Sequence, residues 1–338
     1  MKKSIVFVIS AMSRGGAERV ISVLSNRYVS NGYSVSIVML WHNMVEYELD
    51  SRIQVIDLSN DKIHPMFRLL SVTRKLRKYL KAKRPHAVVS FIAQNNLIAF
   101  NACKGLGVRF IPSERIDPSA VKYNPLFEKM LKKVYAKSTI TVLQTERARQ
   151  YFGEKIKKNS VIIPNPIQIK AYADADFKFR IVTAGRLSKQ KNHTMLINAF
   201  KAVHDKHPDF SLAIYGEGSE RKSLEELVAK LGLTGIVELP GNVSDIHDKT
   251  KDAYMFVLSS DYEGLSNALL EAMMMGLPCI STDCSGSDEA ITDGENGLLI
   301  PIGDTEQLTV AMLNLIENQE YRNKIGAAAK IVADKYKV

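Results

Sequence analysis

The chain has 338 residues, 46% of them hydrophobic and 24% charged, with three cysteines, Cys103, Cys279 and Cys284. That suits two domains of ordinary size with large buried cores, and excludes a disordered chain or a disulfide framework. The net charge of +10 is unevenly placed: residues 1–165 carry 28 Lys and Arg against 11 Asp and Glu (+17), and residues 166–338 carry 18 against 25 (−7).

The cysteines show no metal spacing, which points to a reducing, cytosolic compartment. The N-terminus, MKKSIVFVISAMSRGG, begins like a leader, but its apolar run stops after about eight residues without an Ala-x-Ala site. It is read as a first buried strand. Further strands are expected at 34–40, 53–58, 86–92, 109–114 and 139–144, with helices near 17–31, 66–83, 94–105, 124–137 and 145–152. The strands are rich in Val and Ile without alternation, as in a parallel sheet covered on both faces. SVIIPNPIQI (160–169), with prolines either side of Asn165, reads as a break. Strands then recur at 179–185, 211–216, 236–241, 254–260, 278–282 and 297–301. Helices are expected near 192–206, 219–231, 266–276, 304–317 and 320–336. The expectation is an α/β protein of two doubly wound parallel-sheet domains, 1–164 and 165–338. No stretch approaches the roughly 18–20 apolar residues of a membrane-spanning helix.

In open α/β sheets ligands bind beyond the carboxyl ends of the strands, so the strand-to-helix loops are where chemistry is expected. After the first strand, Gly15 and Gly16 allow a tight turn and close backbone approach at a helix start. The spacing is not the dinucleotide fingerprint, and no acid ends the second strand. In AGRLSKQKNH (184–193), Arg186 and Lys191 precede a helix that Asn192 can cap, a plausible cradle for a diphosphate. YGEGSER (215–221) holds Gly216 in another such turn. In EGLSNALLE (263–271), Gly264 permits a sharp turn and Ser266 or Asn267 can cap a helix. Glu263 could accept bonds from sugar hydroxyls and Glu271 could hold a ribose diol. Alone, the glycine turns and the Arg186–Lys191 pair read equally well as tight connections or surface charge, and composition by itself favours solvated carboxylates for Glu263 and Glu271.

No acidic residue lies between Asp61 and Glu114. Within that span, MFRLLSVTRKLRKYLKAKRP (66–85) sets Met66, Leu69, Leu70, Leu76 and Leu80 at helical spacing among Arg68, Arg74, Lys75, Arg77, Lys78 and Lys81. Lys129, Lys132, Lys133 and Lys137 follow on a second helix. Basic amphipathic helices are drawn to anionic lipid by about 1 kcal/mol per cation near the surface. The expectation is an apolar stripe packed inward and cations facing an anionic membrane or a lipid pyrophosphate. Only Phe67 and Tyr79 interleave aromatics in this tract, which argues against single-stranded nucleic acid as partner.

Taken together, Arg186, Lys191, Glu263 and Glu271 resemble the retaining glycosyltransferases of family 4, and within it bacterial lipid-linked oligosaccharide and capsule N-acetylhexosaminyltransferases. The resemblance also takes in Gly15-Gly16-Ala17-Glu18, Pro164-Asn165 and the tract at 276–301. It implies the GT-B architecture, two facing Rossmann-like domains with a cleft between them. It implies a UDP- or GDP-sugar donor held mainly by the second domain, through Gly185, Gly216, Gly264, Leu265, Ser266 and Glu271. Gly15 and Gly16 would close over its diphosphate. Arg186 and Lys191 would neutralise the leaving diphosphate, so no metal and no cofactor is required. Glu263 would orient the sugar, and attack would come from the front face with no side-chain nucleophile. The acceptor would be a lipid-linked glycan or polysaccharide precursor, reached by an enzyme peripherally bound to the cytoplasmic face of the membrane.

Two places depart from the family. Where many members carry a first-domain histidine, this chain has PSERIDP (112–118); some relatives acting on lipid-linked or capsule units have Ser-Glu-Arg there. Glu114 and Arg115 are placed on the acceptor side, with Arg115 open to either acceptor phosphate or donor sugar. The chain also ends at ADKYKV (333–338), so the family's final crossover helix is expected to be missing. Other readings are a non-catalytic pseudo-enzyme or partner subunit, a UDP-sugar epimerase, for which no acid/base constellation is evident, and a salt-sensitive nucleic-acid module.

Overall fold

The computed structural model describes residues 3–13, 15–59, 65–119, 121, 123–167, 169 and 178–336. The chain divides into two compact units, Met1–Asn165 and Pro166–Val338.

In the first unit the order is β1 (Ser4–Ile9), α1 (Gly16–Ser30), β2 (Ser34–Met39), β3 (Gln54–Asp57), α2 (Pro65–Lys83), β4 (Ala87–Phe91), α3 (Ala93–Cys103), β5 (Arg109–Ser113), α4 (Pro125–Lys137), β6 (Thr141–Leu143), α5 (Glu146–Tyr151), α6 (Glu154–Lys157) and β7 (Ser160–Ile162). The strands form one parallel sheet in the order β3-β2-β1-β4-β5-β6-β7. Every residue of β1 is buried. One side chain set packs with Val72, Leu76, Ile98 and Leu131 of α2, α3 and α4, and the alternate set with Val20 and Ile21 of α1. Burial on both faces is why β1 lacks alternation.

The stretch read as a break contains β7, where Thr141, Val142 and Leu143 pair with Ser160, Val161 and Ile162. Only three residues long, half-exposed and ending before Pro164, it is an edge strand with little pattern to read. The inward apolar stripe of α2 is also shorter than expected. Val72, Leu76 and Leu80 are buried, but Leu69 and Leu70 stand exposed with Phe67. The Met66 side chain lies outside what is described.

The second unit runs β8 (Lys178–Ala184), α7 (His193–Lys206), β9 (Ser211–Tyr215), α8 (Arg221–Lys230), β10 (Val237–Gly241), α9 (Ile246–Thr250), β11 (Ala253–Leu258), α10 (Asn267–Met274), β12 (Cys279–Thr282), α11 (Ser287–Ala290), β13 (Leu298–Ile300), α12 (Thr305–Glu317) and α13 (Gln319–Ala333). Its parallel sheet has the order β10-β9-β8-β11-β12-β13. Helix starts follow capping chemistry: Asn192, Ser266, Asp304 and Asn318 each accept an N–H of the first turn. In both sheets the strand order reverses beside the first strand, between β1 and β4 and between β8 and β11. That reversal opens a crevice at the carboxyl ends of those strands.

Candidate active site

The second unit sets its chemistry at this reversal. Gly185 and Arg186 leave β8, and a short 3₁₀ turn, Lys189–Lys191, leads into α7. Glu263 lies on the loop after β11. Lys191 Nζ and Glu263 Oε1 form an ion pair, and Ser260 Oγ donates to the same oxygen at 2.7 Å. Glu263 is only 8% exposed. A lysine has three donors and a carboxylate about four acceptor positions, so the pair leaves capacity on both partners. Arg186 is exposed, and its guanidinium forms no ion pair or hydrogen bond with the described residues.

Short bonds stitch the two loops together. The Asp261 N–H donates to Gln190 O at 2.8 Å, and Gln190 Nε2 donates to Tyr262 O at 2.8 Å. Asn192 Nδ2 donates to Asp261 Oδ1 at 2.8 Å, and Ser259 Oγ to Lys191 O at 2.9 Å. Asn192 is left-handed at φ 44°, a conformation Asn tolerates, and its side chain also caps α7. Sequence reasoning named Asn192 as cap but missed Ser260 and Asp261. Their only signal was a position at the carboxyl end of a predicted strand.

His193 begins α7, 3% exposed, with no hydrogen-bond partner on either ring nitrogen. Burial, and then the nearby Lys191 charge, push its pKa down to about 4; the Arg186 carbonyl works weakly the other way. The ring is neutral at ordinary pH.

Glu271 is on α10, 5% exposed, and Glu271 Oε2 shares a 3.0 Å hydrogen bond with His247 Nε2 of α9. That short helix carried no readable signal, and His247 went unnoticed with it. Gly264 is covered by the loop before α11, since a Cβ on Gly286 would lie 1.9 Å from Gly264 O. Ser266 Oγ accepts the Leu269 N–H at 3.4 Å, and Leu265 is buried beside it. Gly216, at φ 139°, packs against the Gly185 carbonyl, where a Cβ would lie 1.9 Å away. It lets the loop after β9 hold the Gly185–Arg186 turn from behind.

In the first unit, Gly15 and Gly16 precede and open α1, but Gly15 is extended at φ −165° and does not need to be glycine for its backbone. Its N–H donates to Tyr47 Oη at 3.1 Å, and Tyr47 Oη donates to its carbonyl at 2.9 Å. Glu114 is 2% exposed. Tyr135 Oη donates to Glu114 Oε2 at 2.6 Å and the Arg115 N–H to Oε1 at 3.0 Å. Its carboxylate therefore serves the interior, and burial raises its pKa. The expected basic face of α2 is partly self-satisfied. Arg77 Nη1 donates to Ala102 O and Lys104 O, at 3.0 and 2.6 Å, closing the end of α3, and Lys75 reaches Leu58 O at 3.5 Å. Arg74 and Lys78 are exposed.

The two Rossmann-like parallel-sheet domains are of the GT-B class, a fold that solved structures share. Anabaena HepE in complex with UDP-glucose is similar over 98% of this chain and 95% of its own, with a TM-score of 0.83 at 16% identity. A glycosyltransferase from Rickettsia africae covers 99% and 94%, with a TM-score of 0.79 at 18% identity. Residues 14–171 match the model of Glycosyltransferase Family 4, and residues 165–332 that of Glycosyl transferases group 1. The chain belongs to glycosyltransferase family 4 and is an enzyme of that type. Relatives include the Campylobacter jejuni N-acetylgalactosamine-N,N'-diacetylbacillosaminyl-diphospho-undecaprenol 4-alpha-N-acetylgalactosaminyltransferase, 28% identical over 100% of this chain and 97% of that protein. An uncharacterized glycosyltransferase of Haemophilus influenzae is 25% identical over 99% and 96%.

Proposed function

We propose that the chain is a retaining glycosyltransferase that moves an N-acetylhexosamine from a UDP-sugar to a lipid-linked glycan. The observation that carries this is the Lys191–Glu263 pair, set beside the open Arg186 at the carboxyl ends of β8 and β11. As C1 separates from the diphosphate oxygen, negative charge grows on the leaving group, and Arg186 and the remaining donors of Lys191 stabilise it there. Those two cations supply the charge that a metal ion would otherwise supply. Glu263 holds a sugar hydroxyl with the oxygen that Lys191 and Ser260 leave free, and Glu271, steadied by His247, takes the ribose diol. The acceptor oxygen forms its bond to C1 on the face the diphosphate leaves, and its proton passes to the departing phosphate oxygen. The configuration at C1 is kept.

The acceptor class is supported by the Campylobacter relative, whose name specifies a diphospho-undecaprenol substrate. No helix among the described residues is long and apolar enough to cross a membrane. We place the chain on the cytoplasmic membrane face through exposed Phe67, Leu69 and Leu70 with Arg74 and Lys78 on α2, and Leu126 and Met130 with Lys129 and Lys133 on α4. The deciding experiment incubates the protein with UDP-, GDP- and dTDP-sugars, with and without a lipid-linked oligosaccharide extract, and weighs the products. Nucleotide release from one donor, increased by the extract, is expected. No release from any donor by a folded protein overturns the reading.

A further inference from the structure

The loop after β5 holds a cation whose surroundings do not explain it. The Arg115 guanidinium stacks on the Phe91 ring, with Cζ 4.5 Å from its centroid. Nη1 donates to Asn165 Oδ1 at 2.7 Å, and Gln144 Nε2 grips the same oxygen at 2.6 Å. Nε is buried without a partner. The Arg115 guanidinium has no carboxylate partner among the described residues: neighbouring Glu114 gives Oε2 to Tyr135 and Oε1 to the Arg115 main-chain N–H. Among the described residues Nη2 has no hydrogen-bond partner, and it is not fully buried, so one nitrogen of a fixed, planar fork is left open.

A second feature marks the same carboxyl end of the sheet, after β4. Ile92 follows Phe91 at φ 76°, rare for a β-branched residue, and its N–H is tied to Ser113 O at 3.2 Å. Strain of this kind persists where the surroundings over-determine it, often at a ligand clamp. A guanidinium stacked on a ring and held by one amide is pre-organised for bidentate oxygen pairs, phosphate above all. The unit around it carries +17 over residues 1–165, which draws anions.

We propose that Arg115 is an anion-binding residue of the first unit that takes a phosphoryl group of the acceptor, its unsatisfied fork being completed by phosphate oxygens. This rests on the glycosyltransferase reading for the word acceptor, and on the geometry alone for the anion. Burial holds the guanidinium pKa down to about 10, still charged at neutral pH, while the adjacent Glu114 charge opposes that fall. The donor's diphosphate has its own cations, Arg186 and Lys191, in the other unit.

The test titrates inorganic pyrophosphate into the full chain saturated with UDP, for the wild type, Arg115→Gln and Asn165→Ala, after confirming a cooperative melt for each. Arg115→Gln is expected to weaken pyrophosphate at least about tenfold, as loss of a charged bidentate partner does. Asn165→Ala keeps the cation, frees the fork and should weaken pyrophosphate about threefold or more. UDP affinity should stay within about twofold of wild type in both variants. Equal pyrophosphate affinity in the wild type and the variants overturns the proposal, as does absence of pyrophosphate binding to the wild type. A matching loss of UDP affinity would assign Arg115 to the donor and overturn the acceptor assignment. If UDP fails to bind the wild type, the donor reading falls. Pyrophosphate titrated without nucleotide then still compares Arg115→Gln with wild type. If Arg115→Gln does not fold, Asn165→Ala decides.

Discussion

Glu263 shows how much one side chain owes to its neighbours. Its oxygen receives Lys191 and Ser260 in a largely buried site, so its position is set before any ligand arrives. Glu263→Gln keeps the size and removes the charge. Turnover measured by nucleotide release should fall at least about a hundredfold, as when an oriented transition-state group is lost. Circular dichroism should stay native. A rate within about threefold of wild type would remove Glu263 from the reaction. His193 gives a pH prediction. Its folded pKa of about 4 lies below the ordinary 6.5, so the unfolded chain binds the extra proton. The stability this represents is full above pH 6.5 and declines as pH falls toward 4, by about 3 kcal/mol in all. In urea melts between pH 4 and 7, His193→Leu should flatten that decline. A wild type equally stable at both ends would contradict the buried neutral ring. Glu263 could be picked out in the sequence by type, but its pairing could not: Ser260 and Lys191 lie 3 and 72 residues from it. Only folding sets such distances.

At the scale of elements, loops pack on loops through glycines. Gly216→Ala would put a methyl at 1.9 Å from the Gly185 carbonyl on a backbone at φ 139°. Strain of this class costs about 1–3 kcal/mol before the clash is counted. The melting temperature should drop by several degrees or more and UDP affinity should fall with it, because the displaced loop carries Arg186. Gly216 was expected to serve the donor directly, and the fold gives it the separate task of supporting the donor loop. Helix α2 makes a similar division. Arg77 closes the end of α3 with its guanidinium, whereas Arg74 and Lys78 face outward. Reversing Arg74 and Lys78 to Glu should reduce sedimentation with phosphatidylserine vesicles at least about tenfold at low salt and leave the melt unchanged, since each surface cation contributes about 1 kcal/mol. Arg77→Glu should lower the melt by several degrees, leaving carbonyls unsatisfied. If all three act alike, the division is wrong. The sequence reads the tract as one basic helix because charge alone does not say which arginine finds a backbone carbonyl.

At the scale of the whole molecule, each unit has its own sheet and its own core. Unfolding need not be a single two-state event. A nucleotide at about a hundred times its Kd should stabilise the unit it binds by about 2.7 kcal/mol. In hydrogen exchange, UDP should protect the loops after β8 and β11 most and leave the amides of β1 and β4 unchanged. Protection concentrated in the first unit would reassign the nucleotide. The α/β class, the alternation of elements and the parallel sheets were legible because buried parallel strands are written as unbroken apolar runs, and helices as periodic ones. Elements of three to five residues, β7, α6, α9 and α11, were not, because so short a stretch has no period to detect. The motif residues Arg186, Lys191, Glu263 and Glu271 were legible as residue types in the right loops. The sequence by itself thus determined which loops bear chemistry, since strand ends and glycines are local signals. Only the tertiary structure decided which groups meet: Lys191 with Glu263, Glu271 with His247, Glu114 with Tyr135, and the Arg115 guanidinium with no carboxylate among the described residues. The reason is physical: pairing depends on distances between residues far apart in the chain, and those exist only once the sheet has brought its strand ends together.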